Sequence, residues 1–360
     1  MKERNIILLR TVPFLAIGLL IFVAYLVLFV NIDEMVHVIR NTDVVIYLSS
    51  AVMLFIGTIF FTLTWQYLLF PLSVKIPMKK AFVFVLVGVF ADLIIPAESV
   101  SGEIVKTYLV SSESDVNPGK VVASLVGQRI MGTITTTVIL FIGFLGLLAL
   151  NFAISGLMLQ ILTVITILSA FAFVFLVVLC VKEKWTEGLV IRLMHFIGKI
   201  SRGRFKLERF QARVIDAMRA FYESMRVFSS KPKRLVLPAV FNVSSWISSF
   251  LVVFLVFISI GYLETNLTVF LLKIVVVYTL LVAIKSIPLG VPAEVGLPEI
   301  VMTTMFTLLG IPPSISAAAT FLTRILTVWV NLFVGFAAVQ WLGATSLMRS
   351  GVFGKAKNQV

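Results

Sequence analysis

Nine ionisable side chains lie within or beside long apolar stretches of this 360-residue chain. They are Asp92, Glu98, Glu103, Lys106, Arg129, Lys285, Glu294, Glu299 and Arg324. A charge at the centre of a bilayer costs about 2.5 kcal/mol or more on insertion scales, so charges in membrane segments mark a binding site or a pathway by default. The alternative interpretation is that they only form ion pairs that hold neighbouring segments together.

Proline and glycine interrupt two of these apolar stretches, at residues 96–103 and at residues 290–299. Both residue types break the helical hydrogen-bond ladder and free backbone groups. Such groups are tolerated at membrane depth where they line a polar cavity, and a helix that begins there presents N–H groups that favour an anion. The residues predicted to form the breaks are Pro96, Gly102, Gly290, Pro292, Gly296 and Pro298.

These charges predict a site for a phosphate-bearing group. Guanidinium groups match phosphate geometry, so Arg129 and Arg324 are the predicted principal ligands. The glutamates would balance the arginines in the empty site, or accept protons in a coupled cycle. The predicted substrate-binding residues are Arg129, Arg324, Glu103, Glu299, Glu98, Glu294, Lys106 and Lys285.

The composition predicts an all-α integral membrane protein, with residues 1–360 forming a single transmembrane domain. Hydrophobic residues make up 60% of the chain and charged residues 13%, with a mean hydropathy of +1.09, whereas the surface of a soluble domain must face water. Full spans are predicted at residues 13–30, 44–70, 120–150, 156–181, 235–262 and 315–343. The two broken stretches, residues 81–112 and 269–310, are predicted to be re-entrant helical hairpins. Neither half of the first comfortably crosses about 30 Å of hydrocarbon, whereas the first half of the second is long enough to span.

The charges between the spans predict the orientation of the chain. Residues 182–234 contain 14 Lys and Arg against 5 Asp and Glu, so most of the net charge of +13 lies in one polar segment. The positive-inside bias places this segment and both termini in the cytoplasm, in a protein of the cell membrane. Apolar residues at three- and four-residue steps predict an amphipathic helix there, lying on the membrane or on the bundle, or gathering lipid headgroups.

With this orientation, residues 44–150 and 235–343 are two units of opposite topology, as in transporters built from inverted repeats. Pro96-Ala97-Glu98 and Glu103-Ile104-Val105 recur 196 residues later as Pro292-Ala293-Glu294 and Glu299-Ile300-Val301. Arg129 follows Glu103 by 26 residues, and Arg324 follows Glu299 by 25. We therefore predict that the two arginines reach the middle of the membrane from opposite faces and share one pocket.

Two sets of residues resemble the motifs of the lysylphosphatidylglycerol synthase transmembrane (flippase-like) family, and the resemblance extends over nearly the whole chain. The first is Ser101 to Lys106 with the later Arg129, and the second is Ile287 to Glu299 with the later Arg324. The resemblance implies movement between leaflets of a lipid with a phosphate-containing headgroup, either an aminoacylated phospholipid or a polyprenyl-phosphate-linked sugar. Some members of the family carry a fused soluble transferase domain; we expect none here, because only a short tail follows Trp341, and a separate lipid-modifying transferase is then a possible partner. The residues just before Gly102-Glu103 and the Pro-Ala-Glu of the second break differ from the family pattern, which leaves the headgroup open.

Two other functions fit parts of the pattern. A proton- or sodium-coupled secondary transporter of a small anion would use the same hairpins. A membrane enzyme that acts on a lipid headgroup would have the glutamates as its acid or base, since neither histidine and no cysteine lies in the predicted site. We therefore expect no catalytic residue, metal or cofactor, and we expect membrane lipids rather than nucleic acid as partners.

Overall fold

The computed structural model describes residues 23–95, 100–150, 152, 156–200, 207–285 and 295–349, and every regular element in these ranges is helical. The helices are α1 (residues 23–29), α2 (Ile32–Arg40), α3 (Val44–Leu69), α4 (Met78–Ile94), α5 (Val100–Ser114), α6 (Pro118–Ala149), α7 (Gly156–Val181), α8 (Glu183–Ile200), α9 (Leu207–Ser230), α10 (Val236–Ser259), α11 (Leu267–Lys285), α12 (Leu297–Leu308), α13 (Pro313–Arg324) and α14 (Asn331–Arg349). Short 3₁₀ turns cover Phe70–Leu72 and Pro232–Leu235, and a π-helical segment, Ile325–Val330, joins α13 to α14. The predicted all-α class is confirmed.

Five helical segments in the described ranges are long and apolar enough to cross a membrane. They are Val44–Leu72, Pro118–Ala149, Pro232–Ser259, Leu267–Lys285 and Pro313–Gly343. The shortest has 19 residues, which correspond to about 28 Å at 1.5 Å per residue. Helix α7 adds 26 residues without a charged side chain. The chain is thus a multi-pass membrane protein.

The observed helices follow most of the predicted spans. Helices α3, α6, α7 and α10 begin and end within a few residues of the spans predicted at 44–70, 120–150, 156–181 and 235–262. The span predicted at 315–343 is observed as α13, the π-helical segment and α14. The first predicted span, residues 13–30, lies mostly outside the described residues, of which 23–29 are helical.

The two interrupted stretches each contain two helices, α4 with α5 and α11 with α12. Both breaks end earlier than predicted, since α5 resumes at Val100 and α12 at Leu297. Gly102 and Pro298, predicted to break the helix, lie instead in the first turns of α5 and α12. First-turn N–H groups have no intrahelical acceptor, so glycine and proline are compatible with helix there. Helix α11 alone could cross a membrane, so the re-entrant form of the hairpins stays a prediction.

The packing of the helices has the same pattern in the two predicted units. Helices α3 and α10 pack along each other, α4 packs on α14, and α11 packs on α6. Glycines bring each pair close: Gly57 faces Ser248 between α3 and α10, Gly335 faces Phe90 between α14 and α4, and Gly143 faces Val276 between α6 and α11. Each predicted unit therefore places its last helix, α6 or α14, against the first hairpin helix of the other.

Helix α9, in the basic segment, packs on the helix bundle. It lies so close to α6 that a side chain at Gly119 would collide with the backbone of Ala217. Asn117 donates a 2.7 Å hydrogen bond to Asp216, and the Tyr222 hydroxyl donates a 2.8 Å bond to the Leu179 carbonyl. The amphipathic helix was predicted to lie either on the membrane or on the bundle, and the structure shows contact with the bundle.

Candidate functional site

A cavity of about 400 Å³ lies between helices α3 to α6 on one side and helices α10 and α11 on the other. Its lining mixes apolar side chains with charged, hydroxyl and amide groups. The polar and charged residues that line it are Asp92, Glu103, Lys106, Gln128, Arg129, Thr133, Thr136, Asn242, Ser245, Trp246, Ser249 and Tyr278. Such a mixture in an apolar bundle can bind a charged group away from bulk water.

Arg129 enters this cavity from the apolar helix α6. It lies eleven residues after Pro118, the first residue of the helix, which corresponds to a depth of about 16 Å. Its Nε atom lies 3.5 Å from Oε1 of Glu103, and the two side chains are 38% and 27% exposed. This separation exceeds the usual hydrogen-bond range of about 2.7–3.2 Å, so the guanidinium has donors available for another acceptor.

A second acid and base lie on the same wall. The N–H of Gly102 donates a 2.7 Å hydrogen bond to Oδ1 of Asp92, which joins α5 to α4. A side chain at position 102 would collide with the Asp92 carboxylate and with the Gly88 carbonyl, so this close approach requires glycine. Lys106 is buried, and its ammonium lies 5.8 Å from the ring centroid of Phe61 and 5.5 Å from that of Trp65. The cavity wall thus carries two carboxylates and two cations.

The corresponding ion pair in the second predicted unit, Arg324 with Glu299, is buried and directly hydrogen-bonded. Arg324 donates a 2.6 Å hydrogen bond from Nε to Oε1 of Glu299, and the two side chains are only 7% and 6% exposed. The other carboxylate oxygen of Glu299 accepts the N–H of Gly296 at 2.7 Å, at the start of α12. Gly296 has φ of +106°, a conformation that favours glycine. Glu299 therefore caps its own helix while it pairs with Arg324.

The structure does not bring all the predicted residues together. Glu103, Lys106 and Arg129 line the cavity, whereas Arg324 and Glu299 are not among its described lining residues. Thr327, one turn after Arg324, lines a neighbouring cavity of about 190 Å³ that also contacts Phe61 and Tyr278. Of the two arginines, only Arg129 is among the described lining residues of these two cavities, so the pocket shared by both arginines stays a prediction. The assignment of Arg324 as a ligand stays a prediction.

The remaining predicted residues fall at the edges of the described structure. Lys285 is the last residue of α11, on the helix face that also carries the cavity residues Tyr278 and Val282. Outside the described residues lie Pro96, Glu98, Gly290, Pro292 and Glu294.

Sequence reasoning missed several polar residues of the cavity. Asn242, Ser245 and Tyr278 come from α10 and α11, far along the chain from the first hairpin. Asn242 accepts a 2.8 Å hydrogen bond from Thr135 of α6. An amide within the apolar helix α10 was the available signal. Asp92 stood among the ionisable residues but was not assigned to the site.

A buried ion pair outside the cavity was also missed. Lys273 in α11 is 4% exposed and lies 2.7 and 2.9 Å from the two carboxylate oxygens of Glu264. Its ammonium also lies 4.8 Å from the ring centroid of Phe152. Burial first, and then the charge of Glu264, raise the pKa of Tyr262 to about 12, so the neutral phenol donates to Glu264 at 3.3 Å. This group joins the start of α11 to the loops beside it.

Apolar helices around an internal cavity with paired charges define a polytopic α-helical membrane protein with a polar site inside its bundle. The sequence model of the family "Lysylphosphatidylglycerol synthase TM region" matches residues 15–335, and the chain belongs to this family. The resemblance seen in the sequence motifs is thereby confirmed.

Three relatives of this chain are membrane proteins of archaea. It is 22% identical over 308 residues to a UPF0104 membrane protein of Pyrococcus horikoshii, covering 85% of this chain and 89% of the relative. It is 26% identical over 322 residues to a UPF0104 membrane protein of Methanothermobacter thermautotrophicus, covering 89% and 93%. A third, from Methanocaldococcus jannaschii, is 23% identical over 320 residues, covering 89% and 91%. No solved structure matches the chain.

Proposed function

We propose that this protein is a lipid translocase that moves a lipid with a phosphate-bearing headgroup between leaflets and binds that headgroup at Arg129. The observation that carries the proposal is the partly exposed guanidinium of Arg129, about 16 Å along an apolar helix and on the wall of a polar cavity. A cation kept at this depth is costly and has a function by default. The protein acts as a carrier, without covalent chemistry on the lipid.

The geometry of the ion pair supports an exchange of partners at Arg129. Glu103 lies 3.5 Å away, so the pair balances charge without a short hydrogen bond. A phosphate can accept two parallel N–H bonds from a guanidinium, which is a stronger arrangement than the existing contact. Lys106 supplies a second positive charge on the same wall.

The volume of the cavity supports a headgroup as its occupant. About 400 Å³ is within the range of about 300–1,000 Å³ that small-molecule sites occupy. Hydrocarbon chains that fill a leaflet about 15 Å deep do not fit in this space beside the headgroup. The headgroup would thus enter the cavity while the chains stay in hydrocarbon.

The same proposal includes an inverted repeat of residues 44–150 and 235–343, with both termini in the cytoplasm of a cell-membrane protein. The reciprocal packing of α4 on α14 and of α11 on α6 supports it. So does the position of the arginines, since Arg129 lies eleven residues after Pro118 and Arg324 eleven residues after Pro313. Two such units give a carrier two related arrangements of one fold.

Leaflet transfer of a fluorescent phosphatidylglycerol in proteoliposomes tests the function. In Arg129→Ala we expect the protein-dependent rate to fall about tenfold or more, since one lost charge-assisted ligand costs about 1.5–3 kcal/mol. Arg226→Ala is the matched control, because Arg226 pairs with Glu183 on the exposed surface, and its rate should equal wild type.

Wild-type transfer by Arg129→Ala, or no transfer by the wild-type protein, would overturn the proposal. Uptake of labelled phosphate into the same vesicles without lipid transfer would also overturn it, and would favour a transporter of a small anion. Conversion of the lipid to a new product would favour an enzyme.

A further inference from the structure

A second depression of about 400 Å³ lies between α5 and α6. We call it the α5–α6 groove. Ile104, Thr107 and Tyr108 form its α5 wall, and Pro118, Val122 and Leu125 form its α6 wall. Of its described lining residues, Glu103 alone carries a charge. Its surface is therefore mainly apolar, unlike that of the cavity.

The groove and the charged cavity are neighbours that share part of a wall. Glu103 and Leu125 line both of them. On α6 the groove residues at 118, 122 and 125 follow one helix face, and the next residue on that face is Arg129. On α5 the groove residues at 111, 108, 107 and 104 lead in the same way to Glu103, and Val100 lines the groove one turn further on. The groove therefore passes alongside the Arg129–Glu103 ion pair.

We propose that the α5–α6 groove holds the hydrocarbon chain of the lipid whose headgroup is bound at Arg129. This inference rests on the proposed function. The headgroup cavity has no room for a chain, so the chain must leave it through an apolar opening next to the ion pair. The groove meets this requirement, because Ile104 is 63% exposed and Tyr108 70% exposed, so the chain would lie between them and the surrounding hydrocarbon.

The arrangement gives Glu103 a second role, as a positioning residue at the boundary. Its side chain lies between the cavity and the groove, where it pairs with Arg129. When a phosphate replaces Glu103 as the partner of the Arg129 guanidinium, the Glu103 side chain is free to move from its position between the cavity and the groove. Headgroup binding and opening of the path for the chain are thus one event.

Bulky substitutions that fill the groove test the inference. In Ile104→Trp and Val122→Trp we expect transfer of the fluorescent phosphatidylglycerol to fall about tenfold or more. Binding of glycerol phosphate, which has a phosphate but no chains, should stay at the wild-type level in both variants, as measured by saturation-transfer NMR. Val138→Trp is the control, because Val138 is an exposed α6 residue that does not line the groove, and its transfer rate should be unchanged.

Photo-crosslinking makes the test independent of how well the tryptophan variants fold. A photoreactive phenylalanine at Tyr108 should capture a chain-labelled phosphatidylglycerol with saturable yield, and Arg129→Ala should abolish that saturation. The same group at Phe141, an exposed α6 residue away from the groove, should crosslink in proportion to lipid concentration and ignore the Arg129 change.

The outcomes separate this inference from the proposed function. Two results would overturn the groove as the binding site of the hydrocarbon chain even if Arg129→Ala stops transfer. They are wild-type transfer in both groove variants, and crosslinking at Tyr108 that rises linearly with lipid concentration. Wild-type transfer in Arg129→Ala overturns the proposed function itself. Loss of glycerol phosphate binding in the groove variants also overturns the inference, since it would show that the headgroup site had been damaged.

Discussion

Two arginine–glutamate pairs occupy corresponding positions in the two halves of the molecule, and their environments are opposite. Arg324 and Glu299 are buried, with a 2.6 Å hydrogen bond, and Glu299 also caps α12. Arg129 and Glu103 are several times more exposed and lie 3.5 Å apart beside a cavity. The same residue pair can therefore hold a fold together in one half and remain available for a ligand in the other.

The residues around the Arg129–Glu103 pair are also more polar than those around the Arg324–Glu299 pair. Lys106 lies three residues after Glu103 and faces the cavity, whereas the residue three positions after Glu299 is Met302, fully buried in the apolar core. Asp92 adds a carboxylate on the first side. On the second side, Phe257 packs against Phe270 and against Phe306, which lies in α12, the helix that carries Glu299. Burial and packing, rather than the motif itself, therefore distinguish the two arginines.

The largest expected effect is on stability in the second unit. In Arg324→Ala, Glu299 would remain buried without its cation, and we expect a loss of about 3–5 kcal/mol in the free energy of unfolding. Unfolding in mixed detergent, followed by helix circular dichroism, measures it. A loss no larger than that of Arg129→Ala would show that the two pairs do not differ as described.

Gly102→Ala should have the next largest effect. The new methyl group would collide with the Asp92 carboxylate and separate α5 from α4, at a cost of about 1–3 kcal/mol. Gly132→Ala in α6 is the matched control, because its methyl group meets open space and helix propensity should make it neutral or slightly stabilising. Equal stability of the two variants in the same unfolding assay would contradict the close contact.

Lys106→Met would give the first unit the residue found at the corresponding position of the second. We expect lipid transfer to fall about tenfold, equivalent to about 1.4 kcal/mol, because the cavity loses one of its two cations. Stability should change little, because the thioether is apolar and of similar length. Proteoliposome transfer and unfolding, measured on one preparation, separate the two effects. An unchanged transfer rate would remove Lys106 from the site.

The smallest expected effect is on the stability of Arg129→Ala. The side chain is partly exposed and its ion pair is loose, so its removal should change the free energy of unfolding by about 1 kcal/mol or less. Together with a large loss of transfer, this would show that Arg129 is kept for function. A loss as large as that expected for Arg324→Ala would instead make it a structural residue.

Much of the fold and part of the site were predictable from the sequence. Helix positions followed from uninterrupted apolar runs, because a bilayer-spanning segment must satisfy its backbone internally. The recurrence of a glutamate followed by an arginine after 26 and 25 residues was visible in the sequence, and the structure places each of these arginines beside that glutamate. The contact of Lys106 with the same cavity was also predicted.

The difference between the two pairs was not predictable. It depends on which helices pack around each glutamate, and helix packing here joins residues far apart in the sequence: the hydrogen bond between Thr135 and Asn242, for example, spans 107 positions. The sequence did not predict that helix resumes as early as Val100 and Leu297, because Gly102 and Pro298 were predicted to interrupt it. Both residues lie in the first turn of a helix, where glycine and proline do not disrupt the hydrogen bonding. The need for glycine at position 102 follows from the close contact with Asp92, which only the three-dimensional structure shows.

The π-helical segment after Arg324 changes how the two halves can be compared. Such a segment contains about one residue more per turn than an α-helix, which shifts the following residues by roughly 100° around the axis. Helix α6 continues past Arg129 as regular α-helix. Beyond the arginines, a fixed numerical offset between the halves therefore pairs residues on different helix faces, and Phe333 or Phe336 must be matched to α6 by what they face rather than by counting.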